Sequence, residues 1–408
     1  MRAFVRTPLF VLAAFLVVGG IAARLYAFTV PSGLIYDEHH FVSRARTYIA
    51  HQMDTNDHPP LGKLVIAASV SMLGDNARGW RLPSELIGIA VIFLAAFAAA
   101  RLFQSLEAGA IAAALVASDG FFIAFSRVAV LDGQLVSLLV ASLLLVTFSW
   151  RWHVAALAGV LLGAACTVKF SGIGLIPLFG AALFLDQTLS LRARLTRVLV
   201  IGASAAVTFF AIYAIGLSLA GQPTGVSAVL DDCRRLFASH AQATAMKNPW
   251  VSSWPTWFIP TTPLGFYRDE HLGQVRMVTM LGNLATWWTT SMLFFGALGW
   301  VVRDGVRAVR ETVNGRATLV LLAAALGFLA PWVLTHRDSY LYHYLPTYFA
   351  LVLVTTGAVT WLRTKRPLWA LGFLCVVTIM AALYAPFWTS LPTSQRVLDA
   401  RLFREAWR

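Results

Sequence analysis

The sequence predicts an all-α, polytopic membrane protein, and three observations carry that prediction. Only 12% of the 408 residues are charged, about half the ~25% usual in soluble domains. Hydrophobic residues make up 58% of the chain, and the mean hydropathy is +0.71. Apolar runs of roughly 17–22 residues, the length that spans hydrocarbon as a helix, recur from one end to the other.

The elements follow in order. Arg2 and Arg6 precede a first span over about residues 8–30. It has no small-residue cleavage site and reads as an uncleaved span rather than a signal peptide. Residues 31–79 form a first long loop. Within it, Phe41, Val42, Ala45, Tyr48 and Ile49 keep helical spacing, with Arg44, Arg46 and Thr47 opposite, as in a helix lying in the membrane interface. Pro59-Pro60 opens a second helix, and Leu61–Leu73 is apolar but too short to span. Further spans are expected at about 81–103, 108–123, 133–150, 154–168, 172–185 and 198–220. A second long loop covers 221–283, and the last spans fall at 284–302, 317–334, 346–362 and 368–388. The whole chain, 1–408, reads as one membrane-embedded domain.

Charge placement orients these eleven spans. With the N-terminus inside and the C-terminus outside, the inner segments hold fourteen Lys/Arg against four acids, so +10 of the net +13 lies there. That is the positive-inside bias. It explains the basic composition without nucleic acid, and it sends both long loops outside. The three cysteines, at 166, 233 and 375, suggest neither a disulfide framework nor a metal motif.

The first loop carries unusual chemistry for a chain so poor in charge: Asp37, Glu38, His39, His40, then Asp57, His58 and Lys63. Ionised groups beside a membrane are costly and mark function. There is no phosphate-binding loop and no dinucleotide fingerprint, so an activated donor on the outer face would be lipid-linked. A polyprenyl-phosphate sugar needs a carboxylate to deprotonate the attacking hydroxyl and cations for the phosphate. Asp37 and Glu38 are the candidate carboxylates. Lys63, Arg81, Arg127 and Arg337 are the candidate cations, with Tyr342 and His343 beside Arg337. Each has a plainer alternative. Asp37 is also a suitable helix N-cap, Lys63 a snorkelling interfacial side chain, Arg81 a span-end anchor, and Asp132 a loop acid. Trp250, Trp254, Trp257, Trp287 and Trp288 suit an interfacial aromatic belt or sugar and acceptor stacking. His39, His40 and His58 lack metal-site spacing and read as hydrogen-bonding groups, His58 toward acceptor or sugar.

These residues fall in blocks. Asp37-Glu38-His39-His40-Phe41 is followed by Asp57-His58-Pro59-Pro60-Leu61-Gly62-Lys63-Leu64 and Trp80-Arg81-Leu82-Pro83-Ser84. Then come Ser126-Arg127 with Leu131-Asp132, and Thr167-Val168-Lys169-Phe170-Ser171-Gly172. The last are Asn248-Pro249-Trp250, Ser253-Trp254-Pro255, Leu281-Gly282-Asn283 with Trp287-Trp288, and Tyr342-His343-Tyr344-Leu345-Pro346. In this order they resemble the polyprenyl-phosphate-mannose-dependent protein O-mannosyltransferase family. Eukaryotic members carry a large β-trefoil domain between spans seven and eight. Here that loop is only residues 221–283, so the chain resembles a minimal, bacterial-type member.

The resemblance implies a GT-C fold and an inverting single displacement. Mannose would move from polyprenyl phosphate to Ser/Thr of an exported protein, outside the bacterial inner membrane. It maps the family's acidic pair onto Asp37, as base, and Glu38, positioning the acceptor, and the acid between spans three and four onto Asp132. A glycolipid or cell-wall glycan acceptor is the alternative within the class, and a transporter or lipid flippase the alternative outside it. The sugar, the acceptor, the oligomeric state and any divalent-metal requirement are left open by the residues.

Overall fold

The computed structural model describes residues 2–55, 57–242, 250–335, 338–402 and 407. The helices are α1 (Arg2–Leu25), α2 (Glu38–Ile49), α3 (Leu61–Leu73), α4 (Ala77–Leu102), α5 (Leu106–Ala117), α6 (Gly120–Ser126), α7 (Asp132–Leu145), α8 (Trp152–Val168) and α9 (Leu175–Leu185). They continue as α10 (Leu191–Leu219), α11 (Val226–Gln242), α12 (Leu284–Val309), α13 (Val313–Leu334), α14 (Leu345–Lys365), α15 (Pro367–Tyr384), α16 (Pro386–Thr389) and α17 (Gln395–Arg401). By length and composition, α1, α4, α10, α13, α15, and α14 with the turn before it can each cross a membrane alone. The pair α5 and α6, bent by 65°, makes a seventh. The other expected spans fall on α7, α8, α9 with the 3-10 turn Phe170–Gly174 ahead of it, and α12.

Burial sorts the bundle. In the apolar window of α14, 78% of residues are buried, against 11% in α10. So α14 is the central helix and α10 lies at the periphery. Close approach of α8 and α10 rests on the pair Gly159 and Gly163: a Cβ would meet Ile201 O at 2.3 Å and Ala205 O at 2.5 Å. Small residues four apart let apolar helices pack backbone to backbone.

Several boundaries differ from expectation. The first span ends at Leu25 rather than near residue 30, and α7 stops at Leu145 rather than 150. The span expected at 108–123 is broken at Ser118-Asp119. There Asp119 accepts hydrogen bonds from Phe121 N, Asn283 N and the Tyr348 hydroxyl, which replace the helical ladder. On α2, Ile49 is exposed, while Phe41, Val42, Ala45 and Tyr48 are buried. The chain is also not purely α. In the second loop β1 (Gly265–His271) pairs antiparallel with β2 (Gln274–Thr279), and β3 (Thr393–Ser394) adds to β2.

The break after α5 helps build one end of the bundle. Arg127, just past α6, donates to the carbonyls of Ala23, Arg24, Tyr26 and Ala27 at the end of α1 and to Thr389 O. A guanidinium there satisfies carbonyls that a helix C-terminus leaves unpaired. Thr389 therefore sits at the α1 end opposite Arg2. An odd number of crossings between them follows.

Candidate active site

Beyond α1 the backbone turns sharply. Tyr36 has φ +44°, a left-handed conformation that bulky residues avoid and that marks functional sites. Asp37 follows at the N-cap of α2, yet its side chain makes no capping bond. Glu38 starts the helix. Successive helical residues point about 100° apart, so the adjacent acids diverge.

Glu38 turns inward and is fully buried. Its Oε1 accepts from Arg81 Nε at 2.7 Å and Ala129 N at 2.9 Å. Its Oε2 accepts from Arg81 Nη2 at 2.8 Å and Ile35 N at 2.9 Å. Arg81 spends its other N–H groups on Phe28 O, Pro31 O and Gly33 O. Two expectations are corrected here. Glu38 has no oxygen left to hold an acceptor, and Arg81 has no N–H left for a phosphate. Arg127 is likewise engaged with the end of α1, and its Nε is buried. All three are struts.

Asp37 stands apart. It is half-buried, and its side chain makes no hydrogen bond among the described residues. Burial pushes its carboxyl up to about 6; Lys169 and His40 act against the rise and Asp132 adds to it. Asp132, at the start of α7, and Lys169, at the end of α8, form a pair with both carboxylate oxygens 2.8 Å from Nζ. The Lys169 ammonium also lies 5.2 Å from the Tyr342 ring centre. Tyr340 stacks on Tyr342 at 5.4 Å. His343 stacks on Trp332 at 3.6 Å and accepts from Tyr340 N. Tyr36 packs edge-on to Phe266 of β1 at 5.4 Å. So four separate stretches bring a carboxyl, an ion pair and an aromatic shelf to one end of the bundle.

The other candidates lie elsewhere. Lys63 is buried, paired with Asp54 and donating to His58 O at 2.6 Å. Burial lowers its pKa against the pull of Asp54. His58 lines a separate cavity of 240 Å³ with Tyr48, Tyr213 and Asp232. Trp254 opens the 3-10 turn Trp254–Phe258 and is half-buried. That turn is fastened to the His343 segment, since Ser252 N donates to Ser339 O and Ser339 Oγ to Ser252 O. Trp257 and Trp287 are fully buried, so they are core residues rather than an interfacial belt. Arg337 lies outside the described residues. Lys169 lies outside the residues the sequence singles out, because a lysine between two short apolar runs reads as a loop residue.

Comparison with known proteins bears on this geometry. The family described as dolichyl-phosphate-mannose-protein mannosyltransferase matches residues 57–214 and, in a second form, 14–80. The C-terminal four-transmembrane region of protein-O-mannosyltransferase matches 233–396. The chain belongs to the protein O-mannosyltransferase family. Asp37, the Asp132–Lys169 pair and the Tyr342-His343 turn each fall within one of the matched stretches. The chain is 27% identical to the polyprenol-phosphate-mannose–protein mannosyltransferase of Mycobacterium tuberculosis, over 92% of this chain and 86% of that one. It is 26% identical to the protein of the same name from Mycolicibacterium smegmatis, over 92% and 87%. In fold it matches the S. cerevisiae protein O-mannosyltransferase Pmt1-Pmt2 complex with a TM-score of 0.85 at 12% identity, covering 97% of this chain and 92% of that one. The Archaeoglobus fulgidus oligosaccharyltransferase follows at 0.56 and 13% identity, covering 96% and 57%. The protein O-mannosyltransferase chain is thus an integral membrane protein of GT-C fold.

Proposed function

We propose that the chain, acting as one membrane-embedded unit, transfers mannose from a polyprenyl phosphate to a Ser or Thr hydroxyl of an exported protein. The reaction would take place on the external face of the bacterial inner membrane. One observation carries the reading: Asp37 is the acid in this cluster without a hydrogen-bonded partner among the described residues, and burial pushes its carboxyl up to about 6. A general base works best with a pKa near the operating pH. Asp37 takes the proton of the acceptor hydroxyl as its oxygen attacks the anomeric carbon. The bond from that carbon to the phosphate oxygen breaks, with inversion, and polyprenyl phosphate leaves with the electron pair. Lys169, held by Asp132, is the cation that acts most strongly on this base among the described residues, and preorganised charge of this kind offsets the charge that grows on a leaving phosphate.

The names of the mycobacterial relatives support the donor and the protein acceptor. The positive-inside charge count and the odd number of crossings support the external placement. A transporter would keep its ionisable groups near mid-membrane. Here Arg24 sits in the last turn of α1, at the same end as Asp37, and Glu85 lies about two turns into α4 from that end. The test is to incubate purified protein with polyprenyl-phosphate-mannose, a Ser/Thr-rich peptide and a glycolipid acceptor, and to weigh the products by mass spectrometry. Mannosylated peptide supports the reading. Product on the glycolipid alone assigns the chain to the other acceptor class.

A further inference from the structure

At the bundle end opposite Asp37, a cavity of 730 Å³ opens among four interhelical loops. Arg101 enters it from the end of α4, Arg151 from before α8, Arg197 from α10 and Arg316 from α13. Two acids, Asp186 and Glu311, share the rim. Neither forms an ion pair with any of these four arginines among the described residues; Glu311 approaches Arg310 instead, at 3.9 Å. The cavity thus keeps an excess of two positive charges.

Three of the arginines are aimed by neutral groups. Arg101 donates to Thr147 Oγ1 at 3.4 Å and Thr147 O at 3.2 Å, and lies 5.0 Å over the Phe148 ring. Arg197 Nε donates to Trp150 O at 3.0 Å. Arg316 Nη1 donates to Arg310 O at 3.0 Å. Carbonyls and a ring fix a guanidinium without neutralising it, and most of its N–H fork stays available. The lining also includes the apolar side chains of Leu102, Leu185, Val313 and Val320, of which Leu185 and Val320 are buried. A positive-inside bias needs only basic loops; it does not require four guanidiniums from four parts of the chain, none in an ion pair among the described residues, to line one cavity.

We propose that this cavity binds the phosphate-bearing headgroup of an anionic membrane lipid. Guanidinium groups match phosphate oxygens in two-pronged fashion, and basic pockets between membrane helices take anionic headgroups. The site is independent of the transfer chemistry, which lies at the other end of α4.

The test uses the full chain purified in detergent. Native mass spectrometry and thermal unfolding are followed during titration with dioleoylphosphatidylglycerol, dioleoylphosphatidylcholine or inorganic phosphate. Phosphatidylglycerol should be retained and should raise the unfolding temperature at concentrations at least about tenfold below phosphatidylcholine. Arg151→Gln with Arg197→Gln should erase that difference. Arg151→Lys with Arg197→Lys should keep part of it, and Arg276→Gln with Arg396→Gln, exposed at the other end, should leave it intact. Equal retention of the two lipids overturns the proposal, as does undiminished phosphatidylglycerol binding in the cavity glutamine variant. Protection by inorganic phosphate at the same concentrations overturns the assignment to a lipid.

Discussion

The Glu38 carboxylate and the Arg81 guanidinium form a two-pronged ion pair, at 2.7 and 2.8 Å, with neither side chain exposed to solvent. Around it, backbone N–H groups from two loops complete the carboxylate and three carbonyls complete the guanidinium. Removing one partner of such a buried pair typically costs about 3–5 kcal/mol, because the other charge is stranded. Glu38→Gln should therefore lower the unfolding temperature and the yield of folded protein. Thermal unfolding in detergent checks this. Unchanged stability with lost turnover would return Glu38 to a direct role in the reaction.

The acid limb of the pH profile reports Asp37. A base must be ionised, so kcat/KM should rise with pH through about 6 and level off above it. An ordinary aspartate would place that limb near pH 4. Initial rates between pH 4.5 and 8, with stability checked at each pH, measure it.

Asp132 and Lys169 should move that limb in opposite directions. Asp132 raises the Asp37 pKa and Lys169 lowers it. Asp132→Asn removes a raising charge and leaves the Lys169 ammonium unpaired, so the limb should shift to lower pH. Lys169→Met should shift it upward. If Lys169 also meets the leaving phosphate, its loss should reduce kcat/KM by an amount equivalent to about 2–4 kcal/mol, as removal of a preorganised charge-stabilising group does. No shift in either variant would separate the pair from Asp37.

Much of this was legible in the residues, and the rest was hidden for identifiable reasons. Apolar run lengths located the helices because membrane thickness fixes them. The Asp37-Glu38 pair stood out because charge is scarce in this chain. What the residue types do not disclose is partnership. Arg81 and Arg127 read as free cations, yet Arg81 spends its N–H groups on Glu38 and the turn after α1, and Arg127 spends its own on the end of α1, that turn and Thr389 O, up to 262 residues away in sequence. Lys63 was likewise absorbed by Asp54. The hairpin was hidden for a local reason: its turn holds Leu272 and Gly273 both at positive φ, and Leu-Gly is not one of the Asn-Gly, Asp-Gly or Gly-Gly pairs that announce such a turn. The surrounding apolar runs obscured it.

Orientation is open to a direct check. The placement of Thr389 beside the end of α1, with the positive-inside charge count, supports the proposed orientation, with Arg2 inside and Thr389 outside. A C-terminal reporter active only in the cytoplasm should be silent, and one active only outside should be bright. The reverse pattern would put Asp37 on the cytoplasmic face.

The central claim is that Asp37 removes the proton of the attacking hydroxyl, and single-turnover mannose transfer by Asp37→Asn tests it most directly. Folding raises this pKa, so the fold disfavours the ionised form. That penalty is absent below the ordinary carboxylate range and complete above about pH 6. The amide lacks the charge and the Asp37 side chain makes no cap bond, so the variant should be at least as stable as the parent at pH 7.5. It should still bind polyprenyl-phosphate-mannose, while transfer to a Ser/Thr peptide falls by roughly 10²–10⁴-fold. Transfer within about threefold of the parent rate, from a folded and donor-bound variant, would contradict the account.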